Sequence, residues 1–328
     1  MEQNRIKLEE VARELGVSKT TVSRALSGKG RISPETTARV RDYVSQSGRG
    51  AGSQPARQAT SNLALVIPSH FVRLDLPFLR KCMGGICRMA AQREYDVLLC
   101  YADERSTEQL QRQLAARKVD GVILSRTMVV DPCLDLVRQY GVPYAAIGRL
   151  ADAAALQVDN DQVGAARALT RHLLQTGVRR VAYLSGRINY TVNVDRLLGF
   201  HQALEEYGVP PAPELVFSDV ETPEKRLDAL AAVLERGPEC ILCGDDSLAF
   251  DVLKDLRQRG LCVPGDIRLA SLYDSEILLD TTPTVTAVQF DAEALGTAAC
   301  RMLLDAMSGR EVVPRQVQGF QVVLREST

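Results

Sequence analysis

From Leu63 onward, short apolar runs alternate with longer amphipathic stretches, and this alternation limits the possible folds more than any other feature. The first cycles read LALVI, a helical stretch to Glu94, DVLLC, a helical stretch to Lys118 and GVIL. Such apolar runs are typical of strands buried on both faces, and parallel strands need helical crossovers between them. The pattern resumes after Asn160 with VAYLS, CILC and RLASLY, so the sequence predicts two α/β halves in tandem.

The end of the chain holds enough material for strands that cross back between the halves, namely VTAVQF, a helix over 291–308 and GFQVVL. Neither half need then be one continuous segment. The sequence predicts a two-lobed core of parallel sheets with flanking helices over 63–328. We expect the N-lobe at about 63–159 and 289–316, and the C-lobe at about 160–288 and 317–328.

The first 48 residues show a different pattern, with short helices and no strand. The first helix carries apolar residues at i, i+3, i+4 and i+7, which places them on one face. These residues are Leu8, Val11, Ala12 and Leu15. Gly16 ends this helix and Ser18 is suited to cap the next one. The sequence therefore predicts a helix, a three-residue turn and a second helix.

A third helix and a linker complete the N-terminal region. The helix begins at Ser33-Pro34, a cap followed by proline at the first helical position, and should turn Val40 and Val44 inward. Residues 49–62 are rich in Gly, Ser, Gln and Ala and almost lack large apolar groups, so they cannot form a core of their own. The sequence thus predicts a three-helix headpiece over 1–48, followed over 49–62 by a linker or hinge that is either extended or a conditional helix.

Charge is distributed unevenly along the chain, although its net value is only −1. Residues 1–60 contain eleven Lys/Arg and six Asp/Glu, a net charge of +5. The remaining residues contain twenty-nine and thirty-five, a net charge of −6. A basic segment attached to an acidic body suits a polyanionic partner. The headpiece is therefore the segment expected to bind DNA.

The second helix of the headpiece presents hydrogen-bond donors opposite its apolar residues Val22 and Leu26. A recognition helix in the major groove reads bases with its N-terminal residues, and arginine can bridge O6 and N7 of guanine. Arg24 is the predicted base-reading residue, whereas Thr21 and Ser23 are placed for phosphate or sugar contacts. The alternative is a solvated helix face in an unrelated three-helix domain. The full predicted set of DNA contacts is Ser18, Lys19, Thr20, Thr21, Ser23, Arg24, Arg31 and Arg57.

The run VARELGVSKTTVSRALSG at 11–28 resembles the headpiece of the lac-repressor (LacI/GalR) family, with its GVS and TVSR signatures. The resemblance extends along the chain through LALVIPS, VDGVIL, VDNDQVGA, DRLLGF, GDDSLAF and SLYDS. It implies a helix-turn-helix headpiece followed by a core like that of periplasmic sugar-binding proteins. In such a core the effector lies between two lobes at the carboxyl ends of their strands.

The resemblance also implies individual effector contacts. Arg196 in DRLLGF falls where the family places an effector-binding arginine, and Asp274 falls at an effector-binding carboxylate. Asp245 replaces the usual asparagine at another such position, but a carboxylate there could equally be a helix N-cap. Asp246 starts the following helix and is interpreted as structural. Further strand-end candidates are Ser69, Phe71, Arg126, Arg149, Arg187, Tyr190 and Gln289.

Two features depart from the usual sugar-binding member of the family. The stretch SGRGAGSQPARQAT retains only Ala56-Arg57 of the usual hinge helix, with Ala59 where a leucine wedge would kink the operator. There is also no tryptophan and only 5% aromatic residues, whereas neutral sugars commonly stack on aromatic faces. The arginines near strand ends instead suggest an anionic effector.

Rival function classes find little support. The sequence lacks GxxxxGK[ST] and GxSxG, and no GxGxxG opens a helix. Its three histidines, at 70, 172 and 201, are far apart, and Cys240 and Cys243 lie within an apolar strand, so we expect no catalysis, metal or cofactor. No apolar run could cross a bilayer, and the charged N-terminus does not look like an export signal. A cytoplasmic protein is expected, which disfavours a transport component.

Together these features predict a sequence-specific transcriptional regulator, with repression as its expected mode, that binds DNA through its headpiece. Because one headpiece reads few base pairs, we expect a homodimer on a pseudo-palindromic operator. A sugar or sugar derivative bound between the lobes should control DNA affinity allosterically. The alternative of a sugar- or nucleotide-processing enzyme is disfavoured for the reasons above.

Overall fold

The computed structural model describes residues 8–27, 32–46, 59–68 and 77–328. The chain divides into two compact units, Met1–Ala59 and Thr60–Thr328. Among the described residues, no helix is both long enough and apolar enough to span a membrane. Four predicted contact residues lie outside the described ranges, namely Arg31, Arg57, Ser69 and Phe71.

The first unit contains three helices, α1 (Leu8–Leu15), α2 (Lys19–Ser27) and α3 (Pro34–Gln46). The Ser18 hydroxyl caps α2 by accepting the backbone N–H of Thr21 at 3.1 Å, and Ser33 caps α3 by the same bond to Thr36. Each cap satisfies a backbone donor that has no partner within its helix. The buried side chains at the centre are Val11, Ala12, Val22, Ala25 and Val40.

One residue of the expected apolar face of α1 is not buried. Leu8 is 36% exposed, because it lies on the first turn, beyond Val11 and Ala12, which pack into the small core. The side chain of Val44, the other residue expected to point inward from α3, lies outside the described side chains. The headpiece core is therefore centred on the middle of α1 and on Val22 and Val40.

The second unit contains two six-stranded sheets. The order of the first is β11-β5-β4-β3-β1-β2, and each neighbouring pair is parallel. Its strands are β1 (Asn62–Ile67), β2 (Asp96–Tyr101), β3 (Gly121–Leu124), β4 (Tyr144–Ile147), β5 (Gln157–Asn160) and β11 (Arg315–Gln318). β1 and β3 lie in the middle and are almost wholly buried, as their unbroken apolar sequences predict.

The order of the second sheet is β12-β10-β9-β8-β6-β7, and β12 alone runs antiparallel to its neighbour among these strands. Its strands are β6 (Val181–Leu184), β7 (Val216–Phe217), β8 (Cys240–Cys243), β9 (Arg268–Ser271), β10 (Thr286–Gln289) and β12 (Gln321–Val323). Cys240 and Cys243 are fully buried in β8, where burial raises the pKa of Cys240 to about 12. Their CxxC spacing thus belongs to a strand interior.

Helices cover the sheets and supply the crossovers. They are α4 (Pro77–Ala91), α5 (Glu108–Ala115), α6 (Pro132–Tyr140), α7 (Gln162–Gln175), α8 (Thr191–Glu206), α9 (Pro223–Glu235), α10 (Asp246–Gln258), α11 (Glu276–Leu279) and α12 (Ala292–Met307). The close pairs α4/α12 and α7/α8 each cover one sheet. The predicted α/β architecture with flanking helices is confirmed.

The chain passes from one sheet to the other three times, after β5, after β10 and after β11. The last change of sheet lies two residues later than the sequence suggested, because β11 continues to Gln318 beside Asn160 of β5. Three of the four residues of β11 are exposed, so its sequence lacks the apolar run that reveals the inner strands. Each lobe is therefore assembled from separate segments of the chain.

The chain enters the second unit through a backbone anchor. One carboxylate oxygen of Asp120, which precedes β3, accepts the N–H groups of Thr60 and Ser61 at 2.8 and 2.9 Å. Asn62 then donates from its side-chain amide to the carbonyl oxygen of Lys118. These bonds fix the point at which the linker meets β1.

The helices α4 and α12 approach each other at two glycines. A Cβ on Gly296 would collide with the carbonyl group of Cys82, and a Cβ on Gly85 would collide with the carbonyl oxygen of Glu293. Only hydrogen fits between the two backbones at these positions. The pair closes the hydrophobic core around β1 and β3.

We expect Gly296→Ala to lower the free energy of unfolding by about 2–3 kcal/mol, because the added methyl group must push α12 away from α4. Urea unfolding followed by circular dichroism would measure this loss. Gly84→Ala is the matched control, since a Cβ there meets nothing closer than the end of the Arg88 side chain at 3.9 Å. That variant should match or exceed wild-type stability; equal stabilities of the two variants would contradict the close packing.

Candidate effector cleft and DNA-binding helix

A cavity of about 640 Å³ lies between the two lobes, at the carboxyl ends of strands from both sheets. Apolar lining residues include Phe78, Leu79, Ile147, Val220 and Leu295. The charged and polar residues of the lining are Arg105, Ser125, Arg126, Thr127, Asp159, Asn160, Gln162, Arg187, Thr191, Asn193, Arg196, Glu221, Thr222, Arg226, Asp245, Asp246, Ser247, Asp251 and Tyr273. This is the edge at which open parallel sheets generally hold ligands.

The N-lobe wall is formed by the residues that follow β3, β4 and β5. Arg126 follows β3, and its guanidinium lies over the Tyr190 ring at 4.9 Å from the ring centroid. Gly148 follows β4 with a φ of +120°, and a Cβ there would collide with the Thr127 side chain. Asp159, at the end of β5, has its pKa raised to about 6, mainly by burial. A cation and a carboxyl group therefore face the cleft from this lobe.

Arg196, on the C-lobe helix α8, is 6% exposed and lines the cleft. Its Nε donates to the side-chain oxygen of Gln162 at 2.9 Å, and one terminal nitrogen donates to the carbonyl oxygen of Gly244 at 2.6 Å. Burial lowers the pKa of Arg196, but a guanidinium in a protein keeps its proton. The side chain thus joins α7, α8 and the end of β8 around a fixed positive charge.

Two neighbouring carboxylates at the start of α10 both line the cleft, but only one of them caps the helix. Asp245 is the N-cap, because its Oδ1 accepts the backbone N–H of Leu248 at 2.9 Å. Asp246, which the sequence suggested as the structural residue, is 5% exposed and lines the cleft. Burial, and then the charge of Asp245, raise the pKa of Asp246 to about 6. The strand end therefore places a second buried carboxyl group in the site.

Asp274 does not lie among the cleft-lining residues, contrary to the sequence-based expectation. Its two oxygens accept from the terminal nitrogens of Arg325 at 2.8 and 2.6 Å, and both side chains are largely buried. Arg325 follows the short strand β12, which adds to the edge of the sheet beside β10. Arg325, from a segment distant in sequence, therefore pairs with the carboxylate for which the sequence predicts an effector contact.

Three other candidates also lie outside the lining of the large cleft. Gln289 ends β10, where it pairs with Gln321 and is exposed. Tyr190 is fully buried beneath Arg126, and Arg149 holds Asp195 through three hydrogen bonds of 2.8 to 3.1 Å. Of the predicted effector contacts that the structure describes, the cleft brings together Arg126, Arg187, Arg196 and Asp245. Contact with a ligand stays a prediction for all of them.

The arginines of the cleft are balanced by acidic residues. Five arginines and five carboxylates belong to the described lining. Arg187 pairs with Glu104 and Glu221, and Arg226 pairs with Asp251 and Asp255. The formal charges of the described lining therefore cancel, and the charge of the effector stays a prediction.

Several contacts tie the lobes together beside the cleft. Arg149, after β4 of the N-lobe, pairs with Asp195 on α8 of the C-lobe. Thr127 and Thr191 share a hydroxyl hydrogen bond of 2.5 Å, and an antiparallel bridge joins Met128 to Tyr190 just beyond them. The two walls are therefore joined directly along one side as well as through the connecting strands.

Two of the cleft residues escaped the sequence analysis. Asn160 and Asp246 are 4% and 5% exposed, and each has a side-chain oxygen without a hydrogen-bond partner in the described part of the chain. The sequence does indicate these positions, because Asn160 in VDND and Asp246 in GDDS each lie at or just after the end of a strand. Spacing alone could not separate a cap from a cleft residue, because adjacent residues point in different directions at a strand end.

The headpiece helix α2 has the surface expected of a recognition helix. Val22 is fully buried, while Lys19, Thr20, Ser23 and Arg24 are exposed. Ser18 and Thr21 share a hydroxyl hydrogen bond of 2.8 Å, so both belong to the cap that opens the helix. Hydroxyls and cations thus cover the outer face of α2 from its first turn to Arg24. Base and phosphate contacts by these residues stay predictions.

Comparison with known families assigns both parts of the chain. Residues 7–48 match the model of bacterial regulatory proteins of the lacI family, and residues 170–328 match the periplasmic binding protein-like domain. The HTH-type transcriptional regulator CelR of Thermobifida fusca is 30% identical over 334 residues, which cover 98% of this chain and 97% of CelR. Catabolite control protein A of Priestia megaterium is 25% identical, over 97% of this chain and 98% of its own length.

A solved structure gives the same assignment over the whole length. The complex of the transcriptional regulator CelR with cellobiose has a TM-score of 0.77 and 29% sequence identity, and covers 99% of this chain and 100% of that chain. The helix-turn-helix headpiece, the two-lobed core and the full-length similarity therefore all indicate the same family. The chain belongs to the lacI family of bacterial regulatory proteins and is a DNA-binding transcriptional regulator.

Proposed function

We propose that the protein is a cytoplasmic, homodimeric repressor that binds a pseudo-palindromic operator and responds to a neutral sugar in the cleft. The observation that carries the choice of effector is the balanced set of buried donors and acceptors that faces a cavity of about 640 Å³. This volume falls within the range of about 300–1,000 Å³ typical of small-molecule sites. Arg196 supplies donors, while Asn160 and Asp246 supply acceptors, a combination that suits hydroxyl groups.

A neutral sugar is favoured over a sugar phosphate or sugar acid because the cleft holds as many carboxylates as arginines. An anion at Arg187 or Arg226 would have to compete with the ion pairs that these two arginines already make. The similarity to CelR, whose structure contains cellobiose, supports a glucose disaccharide as the first compound to try. We infer no chemical step on the sugar; the cleft binds it.

Effector binding would act on DNA through the relative position of the lobes. The N-lobe begins at β1, directly after the segment that Asp120 anchors, so movement of this lobe displaces the origin of the linker. A ligand that contacts both lobes changes the equilibrium between their arrangements by its difference in affinity for them. Such coupling is typically about 1–3 kcal/mol, a change in operator affinity of about 5- to 150-fold.

The test has two stages. A thermal-shift screen compares cellobiose, maltose and glucose with glucose 6-phosphate and gluconate, and we expect only a neutral sugar to raise the Tm. Fluorescence anisotropy with an operator selected from random DNA should then show an operator affinity that changes by about 5- to 150-fold with that sugar. Stabilisation by the anionic compounds alone would contradict the neutral effector, and an unchanged operator affinity would contradict the coupling.

A further inference from the structure

A buried carboxylate with an unused oxygen faces the cleft from the first turn of α10. Asp246 is 5% exposed, and its Oδ2 makes no hydrogen bond of normal length to a described residue, although the hydroxyl of Ser275 lies close enough to lower the pKa of Asp246. A buried acceptor without a well-placed donor costs stability, and natural proteins keep few such groups. Because this oxygen lies beside a large cavity, a ligand can supply it with a donor.

The neighbouring carboxylate shows that Asp246 is not needed to cap its helix. Asp245 already accepts the N–H of Leu248, so the start of α10 has its side-chain cap without Asp246. The two adjacent acids instead repel each other, and burial together with this repulsion raises the pKa of Asp246 to about 6.

A second unused acceptor belongs to the other lobe. Asn160 ends β5 of the N-lobe sheet, is 4% exposed and lines the same cavity, and its side-chain oxygen also lacks a partner in the described part of the chain. Asp246 follows β8 of the C-lobe sheet. The two lobes thus each contribute one unsatisfied acceptor to the cleft.

Building on the proposed effector, we propose that Asp246 binds a hydroxyl group of a neutral sugar and, with Asn160 on the opposite lobe, selects ligands that donate hydrogen bonds to both walls. The carboxylate oxygen accepts from the hydroxyl, and its negative charge disfavours sugar phosphates and sugar acids. Asp246, rather than Asp274, is then the specificity-determining carboxylate. The Asp274 oxygens are held by Arg325 on both sides of the guanidinium fork.

The experiment compares the full-length wild type with D246N, with and without cellobiose. Without sugar, we expect D246N to raise the Tm by about 2 °C, because it removes an unsatisfied buried charge beside Asp245. In isothermal titration, D246N should bind cellobiose about tenfold more weakly, since a charge-assisted hydrogen bond becomes a neutral one. D228N is the matched control, because Asp228 is an exposed carboxylate of the same lobe that lies outside the cleft lining. It should retain wild-type affinity.

The outcomes separate this inference from the proposed function. A lower or unchanged Tm for sugar-free D246N would assign Asp246 a structural or neutral role and overturn the inference, whatever the effector is. A raised Tm with unchanged cellobiose affinity would also overturn it. A raised Tm with no binding of cellobiose, maltose or glucose by the wild type would refute the neutral sugar, and with it the assignment of Asp246 to a sugar hydroxyl.

Discussion

Arg196→Ala is expected to remove the response to effector almost completely. The guanidinium is buried in the wall of the cleft, where it donates to Gln162 and to the carbonyl oxygen of Gly244. Its loss removes charge-assisted donors from the ligand and leaves those two acceptors without their partner. We expect a loss of about 3 kcal/mol of binding free energy, which lowers the affinity for the effector by about 100-fold. Isothermal titration with the sugar found in the thermal-shift screen measures this loss.

The controls for this variant address folding and DNA binding. Arg196→Lys keeps a cation but cannot reproduce the two-sided contact, so it should recover only part of the affinity. Operator binding without sugar should remain within about twofold of wild type, which shows that the headpiece and the dimer are intact. A variant that folds and binds the sugar as tightly as wild type would show that Arg196 supports the fold without touching the ligand.

Arg24→Ala should lower operator affinity by about 5- to 150-fold for each half-site of the homodimer and relax sequence preference at one base pair in each half-site. The reason is that a bidentate contact between arginine and guanine contributes about 1–3 kcal/mol of discrimination. Arg24 is exposed on the outer face of α2, opposite the buried Val22. Fluorescence anisotropy on operators changed at single base pairs would locate the affected position.

Lys19→Ala is the companion variant, because Lys19 lies at the start of the same helix and is also exposed. If it contacts a phosphate, its loss weakens binding equally on all sequences and reduces the slope of log affinity against log salt by about 1 for each half-site. An Arg24→Ala variant that behaved in this way, without relaxed sequence preference, would show that Arg24 too contacts only the backbone.

The elements of the fold could be anticipated wherever burial and periodicity agree. β1, β3, β6 and β8 are continuous apolar runs, and the structure buries each of them almost entirely. The start of α2 could also be predicted from Ser18, because a helix cap involves only about four consecutive residues. β11 was harder to place, since an exposed edge strand has no apolar pattern to mark its end.

The site was only partly predictable, because its members are chosen by neighbours that are distant in sequence. Asp274 and Arg325 lie 51 positions apart, yet their ion pair occupies both oxygens of Asp274. Asp245 and Asp246 are adjacent, and only the geometry of the first turn of α10 decides which one caps the helix. The ion pair of Arg187 with Glu221 likewise depends on the pairing of β7 with β6, which the sequence does not show.

The sequence by itself determined the class of fold, the DNA-binding helix and the family, because these depend on local periodicity, capping and contiguous motifs. The tertiary structure decided which polar side chains face the cleft, which are neutralised by ion pairs, and how charge is balanced between the lobes. The physical reason is that hydrogen bonds and ion pairs depend on distances of a few ångströms between segments that the chain brings together only when its strands assemble.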